Sequence, residues 1–166
     1  MSNPTPGVLF ICSGNIFRSM SAEYALKRAL GTGANVSVSS AGTHEPPHGV
    51  LDWVRDYHLE REVDVSPHAP RRLTADILET ASLAVAMSTD HRDIVAKRFD
   101  LEIPLFNEVA YGRNEALLDV HEAVEDWRQN MDRAVPYVYQ VIDHIYEGMP
   151  GFIERMPQFT RPQAEK

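Results

Sequence analysis

The chain has 166 residues, of which 24 are acidic and 16 are basic, so its formal net charge is −8, and it contains a single cysteine. One cysteine excludes an internal disulfide, a CxxC redox pair and a zinc site built from several cysteines, and the negative charge argues against nonspecific nucleic-acid binding. The length predicts one domain. Because neither a targeting segment nor a bilayer-spanning apolar run is evident, we expect a cytoplasmic protein that does not bind membranes.

The first predicted unit is a strand, a turn and a helix. Residues 8–11 read Val-Leu-Phe-Ile, a short apolar run typical of a strand buried on both faces. From Ser19 onward, apolar residues recur at spacings of three and four until Gly31, which predicts a helix that ends there.

Further elements follow in alternation. We predict a second strand at residues 36–39, a helix after the Pro46-Pro47 break, a third strand at residues 82–87, and a short helix capped by Ser88 or Thr89. Residues 102–106 are predicted as a fourth strand, placed at an edge because Pro104 cannot donate to a ladder. After a loop of about a dozen residues, a last helix carries an apolar stripe from Val124 to Ile145, with a kink at Pro136.

This alternation of strands and helices predicts an α/β fold. We expect a single-domain, doubly wound sheet of about four parallel strands with helices on both faces. The domain is expected to cover residues 1–157 and to be followed by a flexible polar tail at residues 158–166. Such sheets bind ligands at the carboxyl ends of their strands, so the turn after the first strand is the expected site.

That turn reads Cys-Ser-Gly-Asn-Ile-Phe-Arg-Ser, from Cys12 to Ser19. A short loop that closes onto a helix N-terminus can direct several backbone N–H groups at one anion, and Gly14 and Asn15 tolerate left-handed geometry. Arg18 is placed to bind two oxygens of a phosphoryl group. The same positive surroundings favour the thiolate of Cys12, which is a nucleophile.

Residues 8–20, VLFICSGNIFRSM, resemble the signature loop of the low-molecular-weight protein tyrosine phosphatases. Residues 40–43 (SAGT), 66–71 (SPHAPR) and 84–91 are similar to further segments of that family, in the same order, so the resemblance covers roughly residues 8–145. It implies hydrolysis of phosphomonoesters, above all protein phosphotyrosine, through a phosphocysteine intermediate and without a metal or cofactor. The implied partner is a phosphorylated protein or a small phosphate ester, and not a nucleic acid.

The resemblance also implies roles for individual residues. Cys12 would be the nucleophile, Arg18 would bind phosphate and stabilise the charge of the transferring group, and Ser19 would donate to the Cys12 sulfur. Asn15 would be held in an unusual backbone conformation by Ser40 and His68. The loop residues expected to bind phosphate are Ser13, Gly14, Asn15, Ile16, Phe17 and Arg18.

The general acid is less plainly marked. The family takes it from an Asp-Pro dipeptide before the last helix, and this chain has no Asp-Pro. Asp119, followed by Val120, is the best match, and Glu108 is the alternative. The alternative role for Asp119 is a helix cap or first-turn residue favoured by the helix dipole.

Several aromatic residues and histidines remain to be placed. Trp53 and Tyr111 are candidates for aromatic surface in the substrate pocket, whereas the stripe of the last helix places Trp127 in the core. His44 and His48 are four residues apart, but the intervening prolines prevent a helix, so we do not predict a metal pair there.

Two other functions stay open at this point. One is arsenate reduction with an external small thiol, because the scaffold also carries that activity and the chain lacks the further cysteines of the thioredoxin-coupled form. The other is a weakly active phosphate-binding module, because the Asp-Pro dipeptide is missing.

Overall fold

The computed structural model describes residues 6–162 and contains a three-stranded parallel sheet in the order β2-β1-β3. The strands are β1 (Gly7–Cys12), β2 (Ser37–Gly42) and β3 (Leu83–Ala86). The helices are α1 (Arg18–Leu30), α2 (Asp52–Leu59), α3 (Ala75–Glu79), α4 (Thr89–Phe99), α5 (Phe106–Tyr111), α6 (Val120–Ala123), the 3-10 turn η1 (Trp127–Gln129), α7 (Met131–Glu147) and α8 (Met149–Phe159). Because β1 is the central strand, Cys12 lies at the middle of the sheet's carboxyl edge.

The core lies on both faces of β1, as the continuous apolar run predicted. Phe10 packs in a cluster with residues of α1, α7 and α8, such as Phe152. Leu9 and Ile11 point to the opposite face and pack with Val95 of α4. The α/β class and the helices on both faces of the sheet are therefore confirmed.

The predicted fourth strand at residues 102–106 is wrong, and the sheet has three strands rather than about four. Only Leu105 pairs with β3, in an isolated parallel bridge to Ala86. Pro104 has no N–H to extend the ladder, and the Leu105 N–H is used at 3.3 Å by the Glu108 carboxylate, which begins α5 instead. The predicted long loop before Asp119 accordingly contains a helix.

The C-terminal third also differs from the prediction. The last predicted helix is interrupted, because Asp126 adopts a left-handed φ of 48° and η1 follows it. α7 begins only at Met131 and continues through Pro136 without a break. A further helix, α8, extends to Phe159, inside the predicted tail, and the backbone N–H of Arg161 donates to the Ser82 carbonyl at 2.8 Å. Residues 1–5 of the predicted domain and residues 163–166 of the predicted tail lie outside the described residues.

None of the helices between residues 6 and 162 has both the length and the apolar character that crossing a bilayer requires. The longest, α7, has 17 residues.

A histidine is fully buried between α1, α2 and α7. His58 Nε2 lies 3.0 Å from Ser21 Oγ, and its Nδ1 lies 2.7 Å from the Tyr146 hydroxyl. Burial, assisted by the positive charge of Arg61, lowers the pKa of His58 to about 4. The folded protein therefore holds this imidazole neutral at pH values where an unfolded histidine is already charged.

We expect the free energy of unfolding to fall as the pH drops from about 6.5 to about 4. In that window the unfolded chain binds a proton that folded His58 does not, so the stability present above pH 6.5 is lost on acidification, by at most ~3 kcal/mol. Urea denaturation at a series of pH values measures the effect. His58→Asn should show a shallower pH dependence than the wild type, and parallel curves for the two proteins would contradict the assignment. His48→Asn, which changes an exposed histidine, is the control.

Candidate active site

A pocket of about 390 Å³ opens at the carboxyl end of β1. Cys12, Arg18 and Asp119 all line it, together with the loop residues Ser13 and Gly14. Ile16 and Phe17 are lining residues as well. The structure thus brings the predicted nucleophile, the predicted phosphate-binding arginine and one of the two candidate acids to a single cavity.

Cys12 is the last residue of β1, and its sulfur lies at the base of the loop. The sulfur is 2.9 Å from Ser19 Oγ, in the first turn of α1. Ser19 Oγ also accepts a hydrogen bond from Asn15 Nδ2 at 2.9 Å. A hydroxyl that accepts one hydrogen bond still has its own proton, so Ser19 can donate to the Cys12 sulfur.

Asn15 is completely buried and has a φ of 58°, in the left-handed region. Its Nδ2 donates to Ser40 Oγ at 2.8 Å, its Oδ1 accepts from the backbone N–H of Arg71 at 3.1 Å, and His68 Nε2 donates to its carbonyl at 2.7 Å. These contacts hold a conformation that costs free energy for any residue with a Cβ. Ser40 and His68 lie far from the loop in sequence, and both contact Asn15.

Glu23 completes this network, and sequence reasoning missed it. It is 7% exposed, and its Oε1 accepts from Ser40 Oγ at 2.7 Å. The same oxygen lies 4.0 Å from His68 Nδ1, and Lys27 Nζ lies 2.6 Å from Oε2. The sequence did contain a signal for this role, because Glu23 directly follows Ala22, an apolar residue of the predicted helix. A carboxylate that is buried at such a position needs polar partners.

The end of β2 approaches the loop closely at Gly42. A Cβ at this position would lie 2.5 Å from the Ser13 carbonyl oxygen, so a side chain would displace the loop backbone. The next two residues then donate backbone hydrogen bonds to the loop, Thr43 to the Cys12 carbonyl at 2.8 Å and His44 to the Ser13 carbonyl at 3.0 Å. The glycine of the SAGT segment is required by this contact.

Arg18 and Asp119 form an ion pair at the pocket. Arg18 is 2% exposed, its Nη1 donates to the Leu117 carbonyl at 2.8 Å, and its Nη2 lies 3.4 Å from Asp119 Oδ2. The same carboxylate caps α6 through the Val120 N–H at 2.8 Å, and it lies 3.3 Å from His121 Nδ1. Asp119 is therefore a helix cap and also a carboxylate that faces the pocket.

The other candidate acid and one aromatic candidate lie elsewhere. Glu108 does not line the pocket: its Oε1 caps α5 through the Leu105 N–H and lies 3.6 Å from Arg92 Nη1. Tyr111 stacks on His144 with ring centroids 4.4 Å apart, and its hydroxyl donates to the His144 carbonyl at 2.6 Å.

The pocket walls are largely apolar, and two tryptophans contribute to them. Trp53, one of the two aromatic candidates named from the sequence, lines the pocket. Trp127 also lines it and is half-buried, so its predicted place in the core is wrong. It belongs to η1 rather than α7, which removes it from the apolar stripe of the long helix.

His44 and His48 lie at the same pocket. Their Nδ1 atoms contact Thr43 Oγ1 at 2.8 Å and the Gly49 carbonyl at 2.7 Å, respectively. In the part of the chain that the structure describes, no group of three or more histidine, cysteine, aspartate or glutamate side chains is arranged to hold a metal ion.

Comparison with protein families gives a match over most of the chain. The model of the family described as "Low molecular weight phosphotyrosine protein phosphatase" matches residues 7–158. This range includes the loop, both candidate acids and every helix of the fold up to the last turn of α8.

Curated relatives of different activity match part of the chain. A protein-arginine-phosphatase from Bacillus subtilis is 34% identical over 94 residues, which are 55% of this chain and 62% of the relative. Arsenate reductase 1 from Staphylococcus haemolyticus is 36% identical over 86 residues (52% and 62%), and the low molecular weight protein-tyrosine-phosphatase Ptp from Acinetobacter johnsonii is 34% identical over 86 residues (51% and 58%). The chain thus spans about 60% of the length of these relatives.

Solved structures share the fold over nearly the whole chain. A crystal structure of a YwlE mutant from Bacillus subtilis has a TM-score of 0.76 at 24% identity, and the match covers 92% of this chain and 99% of that one. A low molecular weight protein tyrosine phosphatase from T. tengcongensis has a TM-score of 0.74 at 21% identity, with 90% and 98% covered. At these sequence identities, the structural similarity establishes a shared fold and nothing more.

Proposed function

The chain belongs to the low molecular weight phosphotyrosine protein phosphatase family, and from this membership we propose that it hydrolyses phosphomonoesters with Cys12 as the nucleophile. The observation that carries the proposal is the Cys12 sulfur, 2.9 Å from the Ser19 hydroxyl, in a pocket that Arg18 and Asp119 share. A thiolate, a phosphate-binding cation and a carboxylate are the groups that a two-step phosphoryl transfer needs.

In the first step, the backbone N–H groups of the loop and the Arg18 guanidinium bind the phosphoryl oxygens. A lone pair of the Cys12 sulfur forms the S–P bond while the P–O bond to the leaving group breaks. Asp119, in its protonated form, gives its proton to the departing oxygen. Arg18 stabilises the charge on the transferring group, and positioning and electrostatics provide most of the rate enhancement in such transfers.

In the second step, a water molecule attacks the phosphorus of phosphocysteine. Its proton passes to the Asp119 carboxylate, the S–P bond breaks, and the electron pair returns to sulfur. The Ser19 hydroxyl donates to the thiolate that is released, which makes sulfur a better leaving group. Inorganic phosphate then leaves, and Asp119 is protonated again for the next cycle.

The ion pair between Arg18 and Asp119 has a place in this cycle. A bound phosphoryl dianion offers Arg18 oxygens that compete with Asp119 Oδ2, 3.4 Å from Nη2. When the guanidinium turns to phosphate, the Asp119 carboxylate is released from this contact. Substrate binding thereby frees Asp119 to approach the leaving-group oxygen.

The substrate that the pocket supports best is phosphotyrosine. Trp53 and Trp127 provide aromatic wall, and the loop residue Ile16 adds an apolar surface. An aromatic ring entering behind its phosphate would bury apolar area against these side chains. A phosphorylated guanidinium would place polar N–H groups against these apolar side chains, where it gains less from burial than an aromatic ring does.

The test is to compare kcat/KM for a phosphotyrosine peptide and a phosphoarginine peptide of the same flanking sequence. We expect the tyrosine substrate to be preferred by roughly tenfold or more, the discrimination that additional apolar burial in a pocket gives. Trp53→Ala should reduce that preference more than it reduces turnover of a small phosphate ester. A preference for the phosphoarginine peptide would make the chain an arginine phosphatase rather than a tyrosine phosphatase. The role of Cys12 as the nucleophile would be unaffected.

Arsenate reduction is the second candidate, because an arsenate reductase is among the relatives. The chain has a single cysteine, so reduction would need an external small thiol to resolve an intermediate on Cys12. Arsenite formation that depends on an added small thiol would support this function, and its absence alongside phosphatase activity would exclude it.

A further inference from the structure

A second buried histidine contacts the phosphate loop, and the mechanism above does not use it. Ser13, the first residue after the nucleophile, has its Oγ 2.9 Å from Nε2 of His91. His91 belongs to the first turn of α4 and is 1% exposed. The two residues are 78 positions apart in sequence.

The hydrogen bonds of His91 define which of its nitrogens carries a proton. The backbone N–H of Ser88 donates to His91 Nδ1 at 3.1 Å, so Nδ1 is an acceptor without a proton. Burial, reinforced by the positive charges of Arg18 and His44, lowers the pKa of His91 to about 3. The imidazole is therefore neutral near pH 7, and its proton is on Nε2, from which it donates to Ser13 Oγ.

This direction of donation leaves the Ser13 proton for another acceptor. A hydroxyl that accepts one hydrogen bond still has its own O–H to donate. Within residues 6–162, His91 is the one hydrogen-bond partner of Ser13 Oγ, and Ser13 lines the pocket beside Cys12 and Arg18. The proposed reaction brings the phosphoryl group, which offers acceptor oxygens, into this pocket.

We propose that the Ser13 side-chain hydroxyl donates a hydrogen bond to the bound phosphoryl group and that His91 is the positioning residue that fixes its direction. The inference rests on the proposed function, because it concerns the same bound phosphate. It adds a side-chain donor to the backbone N–H groups and Arg18. A hydrogen bond to a charged acceptor is stronger than one between neutral groups, so its loss is measurable in affinity.

The experiment measures binding of inorganic phosphate by calorimetry and kcat/KM for p-nitrophenyl phosphate. Ser13→Ala should weaken phosphate binding by about tenfold to hundredfold, and Ser13→Thr, which keeps the hydroxyl, should restore most of it. His91→Asn keeps a side-chain acceptor for the Ser88 N–H but is too short to reach Ser13, and it should weaken binding by a smaller factor.

The double variant decides whether His91 acts through Ser13. If it does, His91→Asn has no further effect on phosphate affinity once Ser13 is alanine, because the hydroxyl that it orients is gone. A further loss in the double variant would show that His91 acts by another route. Phosphate affinity in Ser13→Ala equal to that of the wild type would exclude the hydroxyl as a donor.

The chain offers a matched control in the pair of Ser21 and His58. Their Oγ and Nε2 atoms are 3.0 Å apart, both residues are buried, and neither lines the pocket. Ser21→Ala and His58→Asn should lower the thermal midpoint yet keep phosphate affinity within about twofold of the wild type. If the control variants lost as much phosphate affinity as Ser13→Ala, a general destabilisation of the fold would explain both losses, and the proposed role of Ser13 would be rejected. A wild-type protein that neither binds phosphate nor hydrolyses the ester would overturn the proposed function itself.

Discussion

Replacing Cys12 with serine is expected to abolish hydrolysis, with a fall in kcat of roughly 10⁴-fold or more, as for other enzymes that lose their nucleophile. Serine occupies nearly the same volume and can keep the contact with Ser19 Oγ, but its hydroxyl is not ionised near pH 7. A neutral hydroxyl is a poor nucleophile unless a base removes its proton. The measurement is the initial rate of p-nitrophenyl phosphate hydrolysis at saturating substrate.

Binding should survive in the Cys12→Ser protein, because the loop N–H groups and Arg18 remain in place. Inorganic phosphate should therefore bind this variant with an affinity within about tenfold of the wild type. This control separates loss of the nucleophile from loss of the fold. A Cys12→Ser protein with full activity would end the assignment of Cys12, whereas an inactive wild type that still binds phosphate would favour the phosphate-binding module.

Asp119→Asn should give the second largest effect, a fall in kcat of about 10²-fold to 10⁴-fold for phosphotyrosine, the range of general acid–base contributions. Asparagine is preferred to alanine because it also caps helices, so its side-chain oxygen can still accept from the Val120 N–H at the start of α6. The reduction should be smallest for p-nitrophenyl phosphate, since a good leaving group needs little protonation. Rates across a series of aryl phosphates should thus depend more steeply on the leaving group in the variant.

Glu108→Gln is the matched control for this prediction. It neutralises the alternative carboxylate, and the structure places that side chain on α5 with Arg92 and the Leu105 N–H. We expect its rates to stay within about twofold of the wild type for every substrate. The reverse pattern, with loss in Glu108→Gln and a normal rate in Asp119→Asn, would transfer the acid role to Glu108.

Sequence reasoning succeeded where one local pattern determines the structure. The run at residues 8–11, followed by polar residues and a helical repeat, is enough to predict β1, the loop and α1, and it places Cys12 at the end of the first strand. It failed where local pattern and tertiary contact disagree. Residues 102–106 look extended, yet the Leu105 N–H binds a helix-capping carboxylate instead of a strand.

Two further features of the site depend on distant partners. The spacing of apolar residues in the last helix, extended toward the N-terminus, includes Trp127. The left-handed conformation of Asp126 interrupts that helix, so Trp127 lies outside it. The contact between Ser13 and His91 joins positions 78 residues apart, and no local spacing encodes which of the seven histidines contacts the Ser13 hydroxyl. Only the order of the strands brings α4 to that edge of the sheet.

The buried, left-handed Asn15 has a consequence for the order in which the protein assembles. Its hydrogen bonds reach residues 25, 53 and 56 positions away, and contacts of such separation form only after the loops between them have closed. The phosphate loop is continuous in sequence, but its shape is imposed by segments synthesised later. A fragment ending after α1 would contain every loop residue and still lack the scaffold that makes the loop a binding site.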